Sequence, residues 1–230
     1  MTPHILYDLL SWMSPSWPVG AFAHSGGLEW AVEDGLVFDR ASAEVWLLDG
    51  LEHGAAASDA ALFAFAHRAT ERGDRAALLE LADLAAALQT TAERRIESTA
   101  QGAAFRRIAR AVAPAPPLDW LDPVADEDLA YPIVVGCLTA AHGAPRILAL
   151  TAYLHGLVAN LASAAQRLVP LGQTDGQRVI AALRGRVETL AARAAELDDA
   201  DPLASLGSAA FVAEIASMAH ETQYTRLFRT

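Results

Sequence analysis

The sequence predicts an all-α, multi-helix bundle in a single domain, on three observations. Apolar residues recur at three- and four-residue steps over long segments, sustained period-two alternation is absent, and glycine and proline gather at a few junctions. With 230 residues and 53% hydrophobic content, the chain has material for one substantial core.

The first junction, residues 14–31, reads Ser-Pro-Ser-Trp-Pro-Val-Gly-Ala-Phe-Ala-His-Ser-Gly-Gly-Leu-Glu-Trp-Ala. Pro15 and Pro18 fix φ and push Ser14 and Trp17 out of the helical region, while Gly20, Gly26 and Gly27 permit positive φ. Leu28 to Val32 then resumes a helical pattern. A rigid aromatic loop that feeds a helix either presents a binding surface or packs on the core, and burial is the plainer reading of its aromatics.

Ser42 is expected to cap a helix beginning at Ala43, with Glu44 in the first turn. Val45, Leu48, Leu51, Ala55, Leu62 and Phe65 make one apolar face, which runs to a break at Gly73-Asp74. Asp74 caps the next helix, marked by Leu78, Leu81, Leu84 and Leu88, and periodicity continues through Ile96, Phe105, Ile108 and Val112 to Pro114. Residues 115–130 hold Pro116, Pro117, Pro123 and five acidic residues, and read as a linker or surface excursion with little to bury. Tyr131-Pro132 opens a short apolar helix over Ile133 to His142. Ile147, Leu150, Leu154, Leu157, Leu161, Ala165 and Leu168 define the strongest helix in the chain, stopped by Pro170-Leu171-Gly172. Thr174 or Asp175 caps a last long helix to about Glu196. Gly102, Gly136, Gly156 and Gly185 fall inside helical patterns at ~1 kcal/mol each relative to alanine, and so predict close helix approaches.

Formal net charge is −11, with acidic clusters at Asp122 to Asp128 and Glu196 to Asp201, which disfavours nucleic acid or an anionic membrane as partner. No run reaches the ~18–20 consecutive apolar residues of a membrane span. Met1 to Trp12 lacks a basic leader region and places Asp8 where an apolar one would be, so no secretory signal is expected. Cys137 is the single cysteine; with no intrachain disulfide possible, a reducing cytoplasm is the expected location. All 17 basic residues are arginines, which excludes a Walker A lysine, a kinase lysine and Schiff-base chemistry.

Catalytic constellations are incomplete. Ala23-His24-Ser25-Gly26-Gly27 fits a relaxed nucleophile elbow, with Ser25 as nucleophile and His220 or His24 as base, but that motif needs a preceding strand. His220-Glu221 starts a zincin motif, yet Tyr224 stands where the second histidine belongs. The seven histidines show no i,i+3 or i,i+4 pairing, so no metal site or cofactor is expected within one chain; a site shared across a dimer interface stays open. Gln173, Asp175 and Gln177, at a helix start, are expected to hydrogen-bond a neighbouring backbone segment. In the tail, residues 220–230, apolar and cationic groups alternate through Arg226-Leu227-Phe228-Arg229, and docking on its own chain or on a partner accounts for this equally.

Pro18-Val19-Gly20-Ala21-Phe22-Ala23-His24-Ser25-Gly26-Gly27-Leu28-Glu29 resembles the opening signature of the urease accessory protein UreF family. Further segments resemble that family in the same order: Glu93-Arg94-Arg95 with Ser98 and Gln101-Gly102, Tyr131-Pro132 to Gly143, Tyr153-Leu154, Pro170 to Gln177, and His220-Glu221-Thr222-Gln223-Tyr224-Thr225-Arg226-Leu227-Phe228-Arg229. The resemblance covers essentially the whole chain. It implies a helical, homodimeric, non-catalytic chaperone that joins a UreD/UreH-type protein and the UreG GTPase on the urease apoprotein for nickel insertion. It also implies a tail that orders on binding the UreD/UreH-type partner. Phe22 corresponds to the family's loop aromatic and Arg226 to its GTPase-recruiting arginine. His24, Ser25, Glu29, His220, Glu221, Gln223, Tyr224, Leu227, Phe228 and Arg229 complete the implied partner-binding set. Phe22 lacks the hydroxyl of members with tyrosine, Gly26 replaces a larger polar residue, and Thr230 stands where serine is usual. A GTPase activator supplying Arg226 or Arg229 in trans is the alternative of a different class.

Overall fold

The computed structural model describes residues 2–230. Ten α-helices pack in one body: α1 Pro3–Trp12, α2 Leu28–Glu33, α3 Arg40–Glu52, α4 Ala55–Glu71, α5 Arg75–Ala87, α6 Ala92–Val112, α7 Tyr131–Ala141, α8 Arg146–Leu168, α9 Gln173–Glu196 and α10 Phe211–His220. Short 3₁₀ turns lie at Ala21–Ala23, Pro116–Leu121 and Pro202–Ser205, and no strand occurs among the described residues. The expected all-α bundle is the observed one.

The centre is the α4–α7 pair. α7 buries every residue from Tyr131 to Thr139, and α4 buries nearly all from Asp59 to Thr70, so both are enclosed on every face as core helices are. Small residues let them meet closely. A Cβ on Gly136 would lie 2.6 Å from the Phe63 carbonyl oxygen and 3.2 Å from the Ala66 methyl. Gly102 of α6 is likewise pressed against the Leu129 carbonyl just before α7. The other two helical glycines depart from expectation: Gly156 has only ordinary contact with Met13, and Gly185 faces open space.

α8 and α9 form an antiparallel hairpin along one side of this core. By length and composition α8 matches a membrane span, with a mean hydropathy of 1.5 over its best window. In this fold its buried residues, among them Leu150, Tyr153, Leu154 and Val158, belong to the bundle core.

Several boundaries differ from the sequence expectation for identifiable reasons. The single helix expected to Gly73 divides at His53-Gly54, because the His53 carbonyl accepts from the Ala209 and Ala210 amides at 2.7 and 3.2 Å. Asp39, three residues earlier than Ser42, caps α3; its carboxylate accepts from the Ser42 amide at 2.8 Å, and the Ser42 hydroxyl closes the reciprocal bond. Hydrogen bonds from Ser42 hold the Asp39 carboxyl below its ordinary value. Neither Thr174 nor Asp175 caps α9, whose N-cap is Gly172. Asp74 caps α5 as expected, through the Ala77 amide at 3.0 Å.

The largest correction concerns residues 115–130. This segment buries Leu118, Leu121, Val124, Leu129 and Ala130. Its acidic residues are tied to α6: Asp126 pairs with Arg106, Asp122 with Arg110, and Asp128 with Arg95. Arg106 also donates to the Leu121 and Val124 carbonyls at 2.8 and 3.1 Å. What reads as a solvated linker is a strap across the core.

Gly136→Ala should lower unfolding free energy by about 1–3 kcal/mol through overpacking. Gly185→Ala, with open space around it, should raise it by about 0.5–1 kcal/mol. Chemical denaturation of the two variants checks both signs.

Candidate functional site

The loop at 14–31 is shaped by its glycines. Gly20 at φ 79° opens the Ala21–Ala23 turn, and Gly26 and Gly27 at φ 60° and 81° swing the chain into α2. Gly27 has a second reason to lack a side chain: a Cβ there would lie 2.8 Å from the Ser217 amide of α10. The starts of α2 and the body of α10 therefore touch backbone to backbone. Alongside, the Thr91 and Ser217 hydroxyls bond at 2.7 Å and join α10 to the start of α6.

Beyond α10 the tail folds back along this loop. The Leu227 and Phe228 amides donate to the Glu29 carboxylate at 2.5 and 2.8 Å, and the Arg229 amide donates to the Ala23 carbonyl at 2.8 Å. The Ser25 amide and hydroxyl donate to the Thr230 carbonyl at 2.6 and 3.0 Å, and His24 Nδ1 lies 2.7 Å from the Thr230 hydroxyl. Phe228 is 3% exposed, in a small second core with Leu28, Ala31, Val37, Ala43 and Val169. The Arg167 guanidinium sits 4.2 Å from its ring centre, a cation–π contact.

At the heart of this arrangement His220 stands between two carboxylates. Its Nε2 is 3.0 Å from Glu29 Oε2, and its Nδ1 is 2.8 and 2.9 Å from the Glu93 oxygens. Arg226 approaches Glu93 at 3.5 Å. All three members of the chain Glu29, His220 and Glu93 are buried. Burial pushes the Glu93 carboxyl above its ordinary value, opposed by the hydrogen bond from His220. The His24 imidazole is pushed below its ordinary value, chiefly by burial.

A cleft of about 580 Å³ opens beneath the loop, lined by Trp17, Trp46 and Tyr131. On its wall the Asp59 carboxylate accepts from Arg94 and, at 3.2 Å, from the Tyr153 hydroxyl; Arg94 also faces Glu97 at 3.6 Å. Burial raises the Asp59 carboxyl against the pull of Arg94. Among the described residues no group of three or more His, Cys, Asp and Glu side chains is arranged to hold a metal ion.

Of the residues singled out in the sequence, the fold thus brings His24, Ser25 and Glu29 onto His220, Leu227, Phe228 and Arg229. His24, Ser25, Glu29, His220 and Phe228 are buried in this docking; Phe22, Glu221, Tyr224, Arg226, Leu227 and Arg229 face outward. Gln223 is half-buried and donates to the Thr225 carbonyl at 3.1 Å. Gln173, Asp175 and Gln177 lie apart at the start of α9. There the two glutamines are exposed and Asp175 pairs with Arg178 at 2.9 Å, while the bond to a neighbouring segment comes from Gln166 to the Gln173 carbonyl at 3.4 Å. Ser25 has no base: His24 faces Thr230 and His220 is held by the two glutamates, so the hydrolase reading falls. Glu93, Thr91 and Ser217 complete the docking without having been singled out as site residues. Only the string Glu93-Arg94-Arg95 gave a signal for the first, and nothing local marks its partner 127 residues away.

The fold and this surface define a class: an all-helical protein whose end is locked onto a rigid N-terminal loop, leaving aromatic and cationic side chains outward. The UreF family model matches residues 37–184. The chain is 50% identical over 227 residues to the urease accessory protein UreF of Rhodopseudomonas palustris strain TIE-1, covering 98% of this chain and 92% of that one. It is 51% identical over 228 residues to the protein of the same name from Bradyrhizobium sp. strain BTAi1, covering 98% and 92%. The chain belongs to the UreF family of urease accessory proteins.

Glu29→Ala would leave two tail amides without an acceptor and His220 Nε2 without its partner, at a cost of about 1–3 kcal/mol. Faster tryptic cleavage after Arg226, with the helical circular dichroism retained, is the expected readout. For His24 the folded value lies below the unfolded one, so its contribution to stability is present above ~6.5 and is lost as pH falls through that value toward the folded one. Thermal unfolding of wild type against His24→Gln between pH 7 and 5 measures it.

Proposed function

We propose that the chain is a non-catalytic chaperone of urease maturation, acting in the cytoplasm as a homodimer. In this reading it scaffolds a UreD/UreH-type accessory protein and the UreG GTPase on the urease apoprotein, where nickel is cargo for the enzyme's metallocentre. The observation that carries the reading is the docked tail, in a chain that matches UreF proteins over 98% of its length. Tyr224 is fully exposed, Leu227 is 64% exposed, and Arg226 and Arg229 point outward, while the amides of residues 227–229 are held by Glu29 and Ala23. Exposed Tyr and Arg held on a rigid support are the side chains that anchor protein interfaces. Phe22 is 71% exposed and neighbours Ala23, which holds the Arg229 amide, so the loop aromatic and the tail lie side by side.

A second reading is favoured by Arg229, which is exposed and forms no ion pair among the described residues. Such an arginine is free to enter a partner's nucleotide site and activate GTP hydrolysis in trans. Single-turnover hydrolysis by the GTPase, with and without this chain, separates activation from scaffolding.

Arg226→Ala should weaken capture of the GTPase, assayed with the UreD/UreH-type partner present, by the ≥ ~2 kcal/mol typical of an interface anchor. Stability should fall by no more than about 1 kcal/mol, through loss of the half-exposed pair with Glu93. Phe22→Ala is expected to behave in the same way, because an outward ring contributes little to the core. Wild-type capture combined with a large shift in thermal unfolding would assign both residues to structure instead.

A further inference from the structure

We infer that the cleft beneath the N-terminal loop is a binding site for an organic cation, an ammonium or guanidinium group carried on an apolar body. The inference goes beyond the scaffolding reading and does not rest on it. At about 580 Å³ the cleft has the capacity of a small-molecule pocket. One wall is a run of packed rings: Trp17 lies 5.7 Å from Phe105, Phe105 5.7 Å from Tyr131 and Tyr131 5.4 Å from Tyr153, centre to centre. Trp17, Tyr131 and Tyr153 line the cleft, and Phe105 is fully buried among them. Aromatic faces attract a cation and gain by shedding water, and solvent alone supplies neither.

The polar groups of the same cleft are short of donors. Steps of three and four along α6 place Arg94, Glu97 and Gln101 on one face, toward the cleft. Among the described residues Arg94 is the only arginine lining it, and it faces two carboxylates, Asp59 and Glu97. One acidic group is therefore uncompensated. Glu97 is 9% exposed, and its partners are the Gln101 amide at 3.4 Å and Arg94 at 3.6 Å, thin provision for a carboxylate with about four lone-pair sites. The Tyr131 hydroxyl, on an equally buried side chain, forms no hydrogen bond among the described residues. A cationic nitrogen brings both donors and charge to this wall. An anion would meet the carboxylates, and among the described residues a metal ion finds no set of three ligands. α10 and the tail add Ala213, Glu214, Ser217 and Thr230 to the lining. The rings and carboxylates that recognise the cation belong to the loop, α4, α6, α7 and α8, so the site does not depend on docking of that end.

The experiment titrates the full chain with 2-phenylethylamine, 2-phenylethanol, 3-phenylpropionate and methylamine, first alone and then saturated with the UreD/UreH-type partner. The indole N–H resonance of Trp17, followed by nitrogen-edited NMR, reports occupancy of the cleft. The aromatic amine is expected to shift it saturably, and the alcohol, the anion and methylamine to bind at least about tenfold more weakly. Glu97→Gln is expected to weaken the aromatic amine by about tenfold and to leave the alcohol unchanged, which separates lost charge from lost fold. The ligand series on wild type needs no variant at all. Amine binding in the complex assigns the site to a free amine; binding to the free chain that the partner abolishes assigns it to an Arg or Lys side chain of that partner, the same chemistry from another source. No saturable shift in either state, equal affinity for amine, alcohol and anion, methylamine binding as tightly as the aromatic amine, or undiminished amine binding in Glu97→Gln would each overturn the inference. GTPase capture is a separate measurement, and its failure changes none of these outcomes.

Discussion

A buried carboxylate must be given donors, and Glu29 takes all of its donors from one end of the chain: His220 Nε2 and the amides of Leu227 and Phe228. That constraint explains the surroundings. The glycine turn at Gly26-Gly27 brings α2 against α10, Phe228 enters a pocket made by α2, α3 and α8, and Thr230 closes on Ser25. Remove the carboxylate and the amides lose their acceptor; remove the tail and Glu29 keeps only His220 as a donor. Each half is costly without the other, and this mutual need fixes residues 227–230 against α2 and the loop before it.

The same logic recurs at larger scale in the α6 arginines. Arg95, Arg106 and Arg110 bind the carboxylates of the 115–130 strap, and Arg94 binds Asp59 at the wall of the cleft. Helix α6 thus faces the strap, the core ion pair and, through Glu93, His220 of α10. The exposed pairs of the strap each contribute little by themselves; what fixes the strap is the burial of Leu118, Leu121 and Leu129 beneath them. Asp59, Arg94 and Tyr153 belong to the other regime, in which desolvation is offset only because every partner is present.

The helices that could be read from the chain are those in which one apolar face repeats without interruption. Both ends of α8 and the start of α5 are legible, since Pro170 and Asp74 punctuate them by local sterics and hydrogen bonding; the break between α5 and α6 at residues 88–91 is not, because the apolar pattern runs on from Leu88 to Ile96. The α3–α4 break was hidden because its cause, the capture of the His53 carbonyl by Ala209 and Ala210, lies more than 150 residues away in sequence. The strap was misread for a related reason: prolines and aspartates mark irregular backbone, but they do not tell whether the leucines between them face a core. In the site, the loop and tail strings could be recognised as unusual, and so could their individual residues. Their mutual contact could not, because a histidine between glutamates from two other helices leaves no periodic trace in any of the three segments.

The tail is gripped by its main chain. Glu29 and Ala23 bind the amides of residues 227, 228 and 229, while only Phe228 and Thr230 are buried as side chains. Posture and vocabulary are thereby separable: position 227, and the outward positions 224 and 229, can exchange residues without loosening the fold, so long as proline does not remove an amide that is held. These three side chains can be rewritten one at a time. The buried frame beneath them would serve as a fixed mount for a changeable face.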